Sequence, residues 1–338
     1  MTTDTAPAPP ATRKGGGKRG RGDAVLVLII ITVGIAILLY PVAADWFSSR
    51  NHNSEITGYR KDVSQIDPAV RAEELQLADA YNAHMPQGLL RDPYSSSPVA
   101  PEEEDEAYRS YQRILGVSER GVIGAVSYPE LGITLPLSHG TSDAVISRGA
   151  GHLYGSSLPV GGPSTHSVLT AHSGLANARL FTPLVDGAKV GQTFTVEVLG
   201  EKHYYEVRSV KNVLPENTDS LRIEPGKDYV TLITCSPIGV NSHRLLVRGE
   251  RVPGPEADAG ALANDDLTAG FPWWAVALIG GAALTGGVLT MQQRARQRRR
   301  AAAGVAAVPG VDPVPGDAVV PGGDPATGGD PAGASAPK

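Results

Sequence analysis

The chain has 338 residues and a formal net charge of −5, so its overall charge gives no support for nucleic-acid binding. Its length allows one or two domains. The single cysteine, Cys235, excludes an intramolecular disulfide, so a domain outside the cell would depend on its own core, the membrane or partners for stability. Lys and Arg cluster at 13–21 and 294–300, and each cluster borders an apolar run.

Two apolar runs predict membrane-spanning helices. Residues 24–44 carry no charge and are long enough for a helix to cross a hydrocarbon core of about 30 Å. A cleaved signal peptide is the alternative, although its apolar region is normally only about 7–15 residues long. The second run, 271–291, opens with two tryptophans that suit a membrane interface, and a buried core helix is its alternative. Because the positive-inside rule puts both basic flanks in the cytoplasm, we expect a two-pass protein of the cell membrane with both termini cytoplasmic and the region between the spans extracellular.

These spans set the predicted domain organisation. Residues 1–23 form a basic tail and 292–338 a basic and then Pro/Gly/Ala-rich tail, and neither can bury enough apolar surface to fold. Between the spans we predict a helical region over 45–120, a β-barrel over 121–253 and a linker over 254–270.

Helical signals dominate the first part of the outer region. We predict helix over 55–85, where Asp67 supplies an N-cap and Pro68 takes the first helical position. Acidic residues in the first turn of 101–115 are typical of a second helix. The intervening stretch LLRDPYSSSPVAP has turn chemistry and predicts a loop.

From residue 121 onward, short runs rich in Val, Ile, Thr, Leu and Tyr alternate with Gly, Pro, Asn and Asp. Runs such as SVLTA, TFTVEVL, HYYEVRSVKNVL, YVTLITC and RLLVRGERV are typical of strands in a closed or partly closed β-barrel. Helices precede the strands without βαβ alternation, which argues against a doubly wound fold. The predicted fold class is therefore mainly β.

Cys235 is the first candidate for chemistry. It ends the strand-like run YVTLITC and precedes a turn-prone segment, so its thiol can be both fixed and accessible. Arg244 opens the next strand-like run nine residues later, and the two would lie side by side if these strands pair. A nearby cation stabilises the nucleophilic thiolate, and a guanidinium is a good donor to a developing oxyanion. A buried structural cysteine is the alternative.

A histidine could complete such a site as a proton shuttle. His172 is the best candidate because it follows a strand-like run and precedes a Gly turn. His166 lies at the opposite end of that run, His243 would point away from the neighbouring arginine, and His139 and His152 are expected in Gly-rich loops. No histidine pair has the spacing of a zinc site with the cysteine, so we predict no metal or other cofactor. The residues alone give a Cys–His–Arg hypothesis and do not name a substrate.

Several separated blocks resemble class C (pilin-polymerising) sortases. TLITCSPIGVNSHRLLVRGERV is similar to the cysteine and arginine signature of that family, and THSVLTAHSGLANARLFTPL is similar to its histidine block. LPLSHGTS, GAGHLYGSSLPVGG and GKDYVTLITC fit the intervening segments, so the resemblance covers about 121–252 and extends loosely back to residue 55. It implies an eight-stranded β-barrel with N-terminal helices and a lid loop, with Cys235 as nucleophile, His172 as acid/base and Arg244 as oxyanion-stabilising cation.

The resemblance also implies a reaction and partners. Cys235 would attack the Thr–Gly bond of an LPXTG-like sorting signal in a secreted pilin and form a thioacyl enzyme. His172 would protonate the departing amine and later accept a proton from a lysine amine of another pilin subunit, which gives an isopeptide bond. The family implies a Gram-positive cell surface, with the peptidoglycan precursor as an alternative partner.

Class C members carry an Asp-Pro-aromatic motif in the lid before the barrel. RDPYSS supplies Asp92, Pro93 and Tyr94, within a predicted lid over 91–97. By resemblance, Asp92 would pair with Arg244 and Tyr94 would cover the thiol. A type I turn with no further role is the alternative. The aromatic residue is Tyr, where Trp or Phe is more common in the family.

Three other functions fit the same residues. A housekeeping or class E-like sortase would use them to attach proteins to a cell-wall precursor. A cysteine peptidase would use water, and not an amine, as the acceptor. A membrane-tethered pilus-assembly scaffold would retain the three residues without catalysis.

Overall fold

A computed structural model of the chain describes residues 19–84, 92–94, 106–255 and 267–305. It divides into two units, Met1–Thr285 and Gly286–Lys338. The first unit contains a β-barrel with helices before it and at its connections. The described part of the second unit is the continuation of the last helix, which ends at Val305.

The helices fall into three groups: those before the barrel, two short ones within its connections, and one after it. In chain order they are α1 (Arg19–Gln65), α2 (Pro68–His84), α3 (Glu106–Arg113), α4 (Asp143–Ile146), α5 (Thr182–Gly187) and α6 (Trp273–Val305). The strands are β1 (Val122–Tyr128), β2 (Ile133–His139), β3 (Ala150–His152), β4 (Thr165–Thr170), β5 (Thr193–Val198), β6 (Glu201–Val213), β7 (Asp228–Ser236) and β8 (His243–Val252).

The eight strands form a closed barrel in the order β1-β2-β3-β4-β7-β8-β6-β5. The β2–β3 and β4–β7 pairs are parallel, and the other neighbours are antiparallel. Alternating side chains such as Val126, Phe194, Val196 and Leu232 fill the core, as expected for a barrel with one solvated face. The mainly β class and the eight-stranded barrel are therefore confirmed. The sequence did not predict β3, which has only three residues.

The helix boundaries differ from the prediction. Residues predicted to form a span over 24–44 and a separate helix from 55 belong to one helix of 47 residues, α1, which ends at Gln65. α2 begins after a break at the predicted cap, where Asp67 Oδ1 accepts a hydrogen bond from Ala69 N at 2.8 Å. Helices Gly22–Gln65 and Trp273–Ala302 are both long and apolar enough to cross a membrane by length and composition.

Several other predicted segments fall partly outside the described residues. Within 101–115 the helix occupies Glu106–Arg113, and 101–105 are not described. The predicted tail over 292–338 is helical as far as Val305, and the predicted tail over 1–23 and linker over 254–270 are described only in part.

The outer half of α1 packs along the barrel. The Tyr59 hydroxyl donates to Ile123 O at 2.8 Å and accepts from Leu199 N at 2.7 Å, so it satisfies two backbone groups at the start of β1 and the end of β5. One residue further on, Arg60 makes a two-pronged ion pair with the buried Glu197, with the shortest contact at 2.6 Å. These buried polar contacts fix the register of α1 against the barrel.

Candidate active site

Strand pairing brings Cys235 and Arg244 together. In the antiparallel register of β7 and β8, Cys235 lies directly opposite Arg244. Opposite residues in such a pair have Cβ atoms about 4.5–5.5 Å apart. The side-by-side arrangement predicted from the two strand-like runs is therefore present, at the end of the barrel where β4 and β7 finish and β8 begins. We call this end of the barrel the site end.

The Cys235 thiol is shielded from solvent. The residue is 7% exposed, and Ser173 Oγ donates to its backbone carbonyl at 2.7 Å. Burial raises the pKa of the Cys235 thiol, the Arg244 guanidinium opposes that effect, and the Asp92 carboxylate adds to it. In this closed arrangement the neutral thiol is therefore favoured over the reactive thiolate.

Asp92 forms a bidentate ion pair with the guanidinium of Arg244. Arg244 Nε and Nη2 donate to the two carboxylate oxygens of Asp92, each at 2.7 Å, and the side chains are only 10% and 8% exposed. Arg244 Nη1 donates to the carbonyls of Asn241 at 2.9 Å and His243 at 3.1 Å. The groups that could bind an oxyanion are thus taken by a carboxylate of the same chain.

Tyr94 is anchored to the strands beside the thiol. Its hydroxyl accepts from Thr170 Oγ1 at 2.6 Å and lies 2.6 Å from Ala171 O, to which it donates. The ring centroid is 5.8 Å from that of His172 and 5.1 Å from Arg244 Cζ. Burial raises the pKa of Tyr94, so its hydroxyl stays protonated and remains a donor.

An apolar patch lies beneath the described lid residues. Tyr94 packs against a small cluster on the outer side of the barrel, formed by Leu153, Val168, Leu221, Ile233 and Leu246. Pro93 and Asp92 line a narrow pocket that includes three of the same residues. Residues 92–94 thus cover both the arginine and an apolar surface next to it, whereas the rest of the predicted lid, 91 and 95–97, lies outside the described residues.

His172 follows β4 and contacts an acid that the sequence analysis did not select. Its Nε2 lies 2.8 Å from Asp143 Oδ1, and within the described residues this ring makes no hydrogen bond to Cys235. The Asp143 side chain is 88% exposed and belongs to the first turn of α4. No local pattern marks Asp143 as a site residue, since an acid in a first helical turn is common.

Three other histidines of the barrel, His139, His152 and His166, have structural roles. His139 and His152 were expected in loops, but they end β2 and β3 because the Gly-flanked segments still join the barrel ladder. His152 is enclosed by the Tyr111 hydroxyl at 2.7 Å and by a backbone carbonyl, and burial lowers its pKa to about 3. His166 bonds to Thr231 Oγ1 at 2.7 Å, and burial lowers its pKa to about 4. Such buried neutral rings are unsuited to proton exchange with a substrate.

The described residues contain no group of three or more His, Cys, Asp or Glu side chains arranged to hold a metal ion. The chemistry available from the site is that of a thiol, an imidazole and a guanidinium at one end of a barrel. This combination suits acyl transfer through a covalent thioester, with the guanidinium as oxyanion donor.

Comparison with known proteins gives a consistent result. A family model for the sortase domain matches residues 126–252. Sortase A of Streptococcus agalactiae is 29% identical over 132 residues, which are 38% of this chain and about half, 52%, of that relative's length. The crystal structure of sortase C-1 from Actinomyces oris is 45% identical, with a TM-score of 0.51, over 55% of this chain and 100% of that one. Sortase C of Streptococcus pneumoniae, whose structure is described as bearing on catalysis and pilin substrate specificity, is 38% identical with a TM-score of 0.52, over 59% and 96% of the two chains.

A cysteine–arginine pair at the end of a closed eight-stranded barrel defines a candidate thiol acyltransferase. With the matches above, the chain belongs to the sortase family and groups with its class C members.

Proposed function

We propose that this chain is a membrane-anchored cysteine transpeptidase that joins pilin subunits. The observation that carries the proposal is the Asp92–Arg244 ion pair beside Cys235, because it combines the catalytic pair with a lid that competes for the oxyanion donor. The 38% identity to sortase C of S. pneumoniae, over 96% of that chain, supports the same class.

In the proposed reaction, His172 takes the proton of the Cys235 thiol, and the sulfur then adds to the Thr carbonyl carbon of an LPXTG-like sorting signal. The oxyanion that forms accepts hydrogen bonds from Arg244, which keeps its proton throughout. The Thr–Gly bond then breaks, His172 gives a proton to the departing glycine amine, and a thioester remains on the cysteine.

The second half of the reaction reverses these roles. A lysine amine of another pilin subunit attacks the thioester carbon and loses a proton to His172. The thiolate departs, and an isopeptide bond joins the two subunits. Asp143 is a positioning residue in this scheme, since its contact with Nε2 orients the imidazole.

The lid explains how hydrolysis is limited at rest. While Asp92 holds Arg244, the oxyanion donor is occupied, and burial together with the Asp92 carboxylate keeps the pKa of the thiol above its usual value. Movement of residues 92–94 would release the guanidinium, remove one influence that raises the thiol pKa, and expose the apolar patch to a sorting signal. The same lid movement would therefore activate the catalytic residues and open the site to the substrate.

The membrane part of the proposal rests on the two long apolar helices. α1 and α6 would both span the bilayer, with the barrel outside the cell and both termini in the cytoplasm, as the basic flanks favour. Both anchors would hold the barrel where secreted pilin subunits emerge.

The test uses the full chain in lipid nanodiscs, as wild type, Asp92→Ala and Cys235→Ala, with an LPXTG peptide and a lysine-bearing pilin domain. Intact mass reports a thioacyl adduct on Cys235 and a crosslinked product. We expect both from the wild type, more of each from Asp92→Ala, and neither from Cys235→Ala.

Other results would favour the alternative functions. An adduct that only hydrolyses would indicate a peptidase, and transfer to a cell-wall precursor amine in preference to lysine would indicate a housekeeping sortase. No adduct with either active variant would support an assembly scaffold without catalysis, and an adduct in Cys235→Ala would refute the nucleophile assignment.

A further inference from the structure

We propose that the site end of the barrel rests on the outer surface of the membrane, with the exposed residues of the segment 173–181 in the lipid headgroup region. We call this segment the His172 loop. The inference depends on the membrane anchoring proposed above and is independent of the transpeptidase chemistry.

The direction of α1 supports this orientation. α1 is one continuous helix, and Asp45 is the first charged residue after its apolar run. Asp45 contacts the site end of the barrel, whereas Tyr59 contacts the opposite end, where β1 begins and β5 finishes. Fourteen helical residues rise about 21 Å, which is the length of a barrel strand of six or seven residues. The helix therefore leaves the membrane at the site end and runs away from it along the barrel.

This orientation is rigid because the outer half of α1 is anchored in the barrel. Ile56, Tyr59 and Val63 are buried, and Arg60 is paired with the buried Glu197. The proline within α1, at position 41, lies on the membrane side of Asp45, so it does not interrupt this anchored part.

A direct contact ties the His172 loop to the membrane boundary. The backbone N–H of Arg179 donates to Asp45 Oδ1 at 2.8 Å, and Phe181 N donates to the carbonyl of His172 at 3.1 Å. Two residues of chain reach at most about 7 Å, so the His172 carbonyl lies within about 13 Å of the Asp45 carboxylate. The candidate proton shuttle is thus close to the level at which α1 leaves the bilayer.

Aromatic residues cluster near Asp45, at the point where α1 would leave the bilayer. Trp46, Phe47 and Trp274 pack together with ring centroids 5.0–6.2 Å apart, which joins the outer ends of the two candidate spans. Phe271 and Trp273 are 62% and 71% exposed next to them. Exposed aromatic rings at the end of an apolar helix are typical of the membrane interface.

The apolar exposure of the barrel is confined to the site end. Within the described barrel residues, the exposed large apolar side chains are Val190, Leu214, Ile238 and Val240. They precede β5, follow β6 and connect β7 to β8, and all of these connections lie at the site end. The His172 loop adds one cation and no carboxylate to this surface. Apolar side chains with a cation suit contact with a bilayer that carries anionic lipid.

The test measures membrane contact without activity. In a Cys235→Ala background, a single cysteine is placed at Asn177, which is exposed in the His172 loop, or at Pro225, which is exposed before β7 at the opposite end of the barrel. Each full chain is labelled with a fluorophore and incorporated into nanodiscs of phosphatidylcholine and phosphatidylglycerol that contain a headgroup spin-labelled lipid. We expect the spin label to quench Asn177 fluorescence at least threefold more strongly than Pro225 fluorescence.

A second variant tests the role of α1 in this orientation. Insertion of seven helix-forming residues after Arg50 lengthens α1 by about 10 Å. Because seven residues are close to two full turns, the residues on either side of the insertion keep the same faces of the helix. Quenching at Asn177 should then fall towards the Pro225 value, while the unfolding temperature of the barrel stays unchanged. Equal quenching at the two positions without the insertion would overturn the inference even if the chain catalyses transpeptidation. Failure of the chain to enter nanodiscs would overturn the membrane anchoring and this inference together.

Discussion

Replacement of Asp92 by asparagine tests the lid most directly. The side chain keeps its shape and one carbonyl acceptor but loses the negative charge that faces Arg244. The wild-type pair has two charge-assisted hydrogen bonds of 2.7 Å between side chains that are about nine-tenths buried. The variant therefore weakens the closed state without removing any group that we assign to catalysis.

The expected change in the free energy of lid opening follows from the loss of one charged partner of the ion pair. Removal of one partner from a buried ion pair typically costs about 3–5 kcal/mol, and the retained amide oxygen reduces this to about 1.5–3 kcal/mol, which is typical of a hydrogen bond to a charged group. A change of that size raises the lid-opening constant about 10- to 150-fold.

The assay is alkylation of Cys235 in the full chain by a bulky maleimide and by iodoacetamide. The bulky reagent reports mainly lid opening, whereas the small reagent also reports the thiolate fraction. Because the Asp92 carboxylate raises the pKa of the thiol, its removal should lower that pKa. The rate of iodoacetamide reaction should therefore begin to rise at a lower pH in the variant than in the wild type.

A matched control is Asp219→Asn, which removes a carboxylate from an exposed pair with Arg222, also an aspartate–arginine contact of 2.8 Å. We expect no change there, because exposed pairs contribute about 0–1 kcal/mol and the two side chains of this pair are 70% and 79% exposed. If Asp92→Asn reacts at the wild-type rate with both reagents at every pH, the lid does not control access to Cys235.

Three further predictions follow from the site and the core. Arg244→Lys keeps the charge but loses the planar fork, so kcat/KM for transpeptidation should fall on the order of 100-fold while Cys235 alkylation does not slow. Asp143→Asn removes the anionic partner that orients His172, so kcat should fall roughly tenfold with little change in KM, and an unchanged kcat would refute the positioning role. His203 has two buried ring nitrogens without a hydrogen-bond partner among the described residues, and burial lowers its pKa to about 4. In the unfolded chain a histidine binds a proton below about pH 6.5, whereas His203 in the folded chain does not, so the free energy of unfolding decreases as the pH falls from there towards 4. His203→Leu should therefore raise the free energy of unfolding, measured with urea, by roughly 2–3 kcal/mol near pH 4 but by much less near pH 7.5.

The sequence predicted the barrel because most of its strands carry a repeated local signal. Long runs such as YVTLITC are rich in Val, Ile, Leu and Thr and are bounded by Gly and Pro, whereas β3 consists of Ala150–His152 and is too short to show any period. The length of α1 was missed for a different reason. Its composition changes from apolar to mixed near Asp45, although the helical backbone continues to Gln65.

The part of the candidate site that is determined by strand register could be predicted from the sequence. The pairing of Cys235 with Arg244 depends only on how β7 and β8 meet around one connection, and both ends of that connection are visible in the sequence. The contact of Asp143 with His172 joins two segments 29 residues apart through a four-residue helix, and no periodicity encodes it. Long-range polar contacts of this kind require the folded structure.

In the function and orientation that we propose, the lid and the membrane together determine which substrates can compete for the site. Residues 92–94 belong to the same chain as Arg244, so the lid competes as an intramolecular ligand, and such ligands typically act at an effective concentration of about millimolar order. A soluble peptide at micromolar concentration would rarely displace it. A sorting signal held in the same bilayer is confined to the layer next to the site end, and its local concentration rises towards that of the lid. Both features therefore favour membrane-held chains over soluble peptides, and they do so without any contact specific to the sorting sequence.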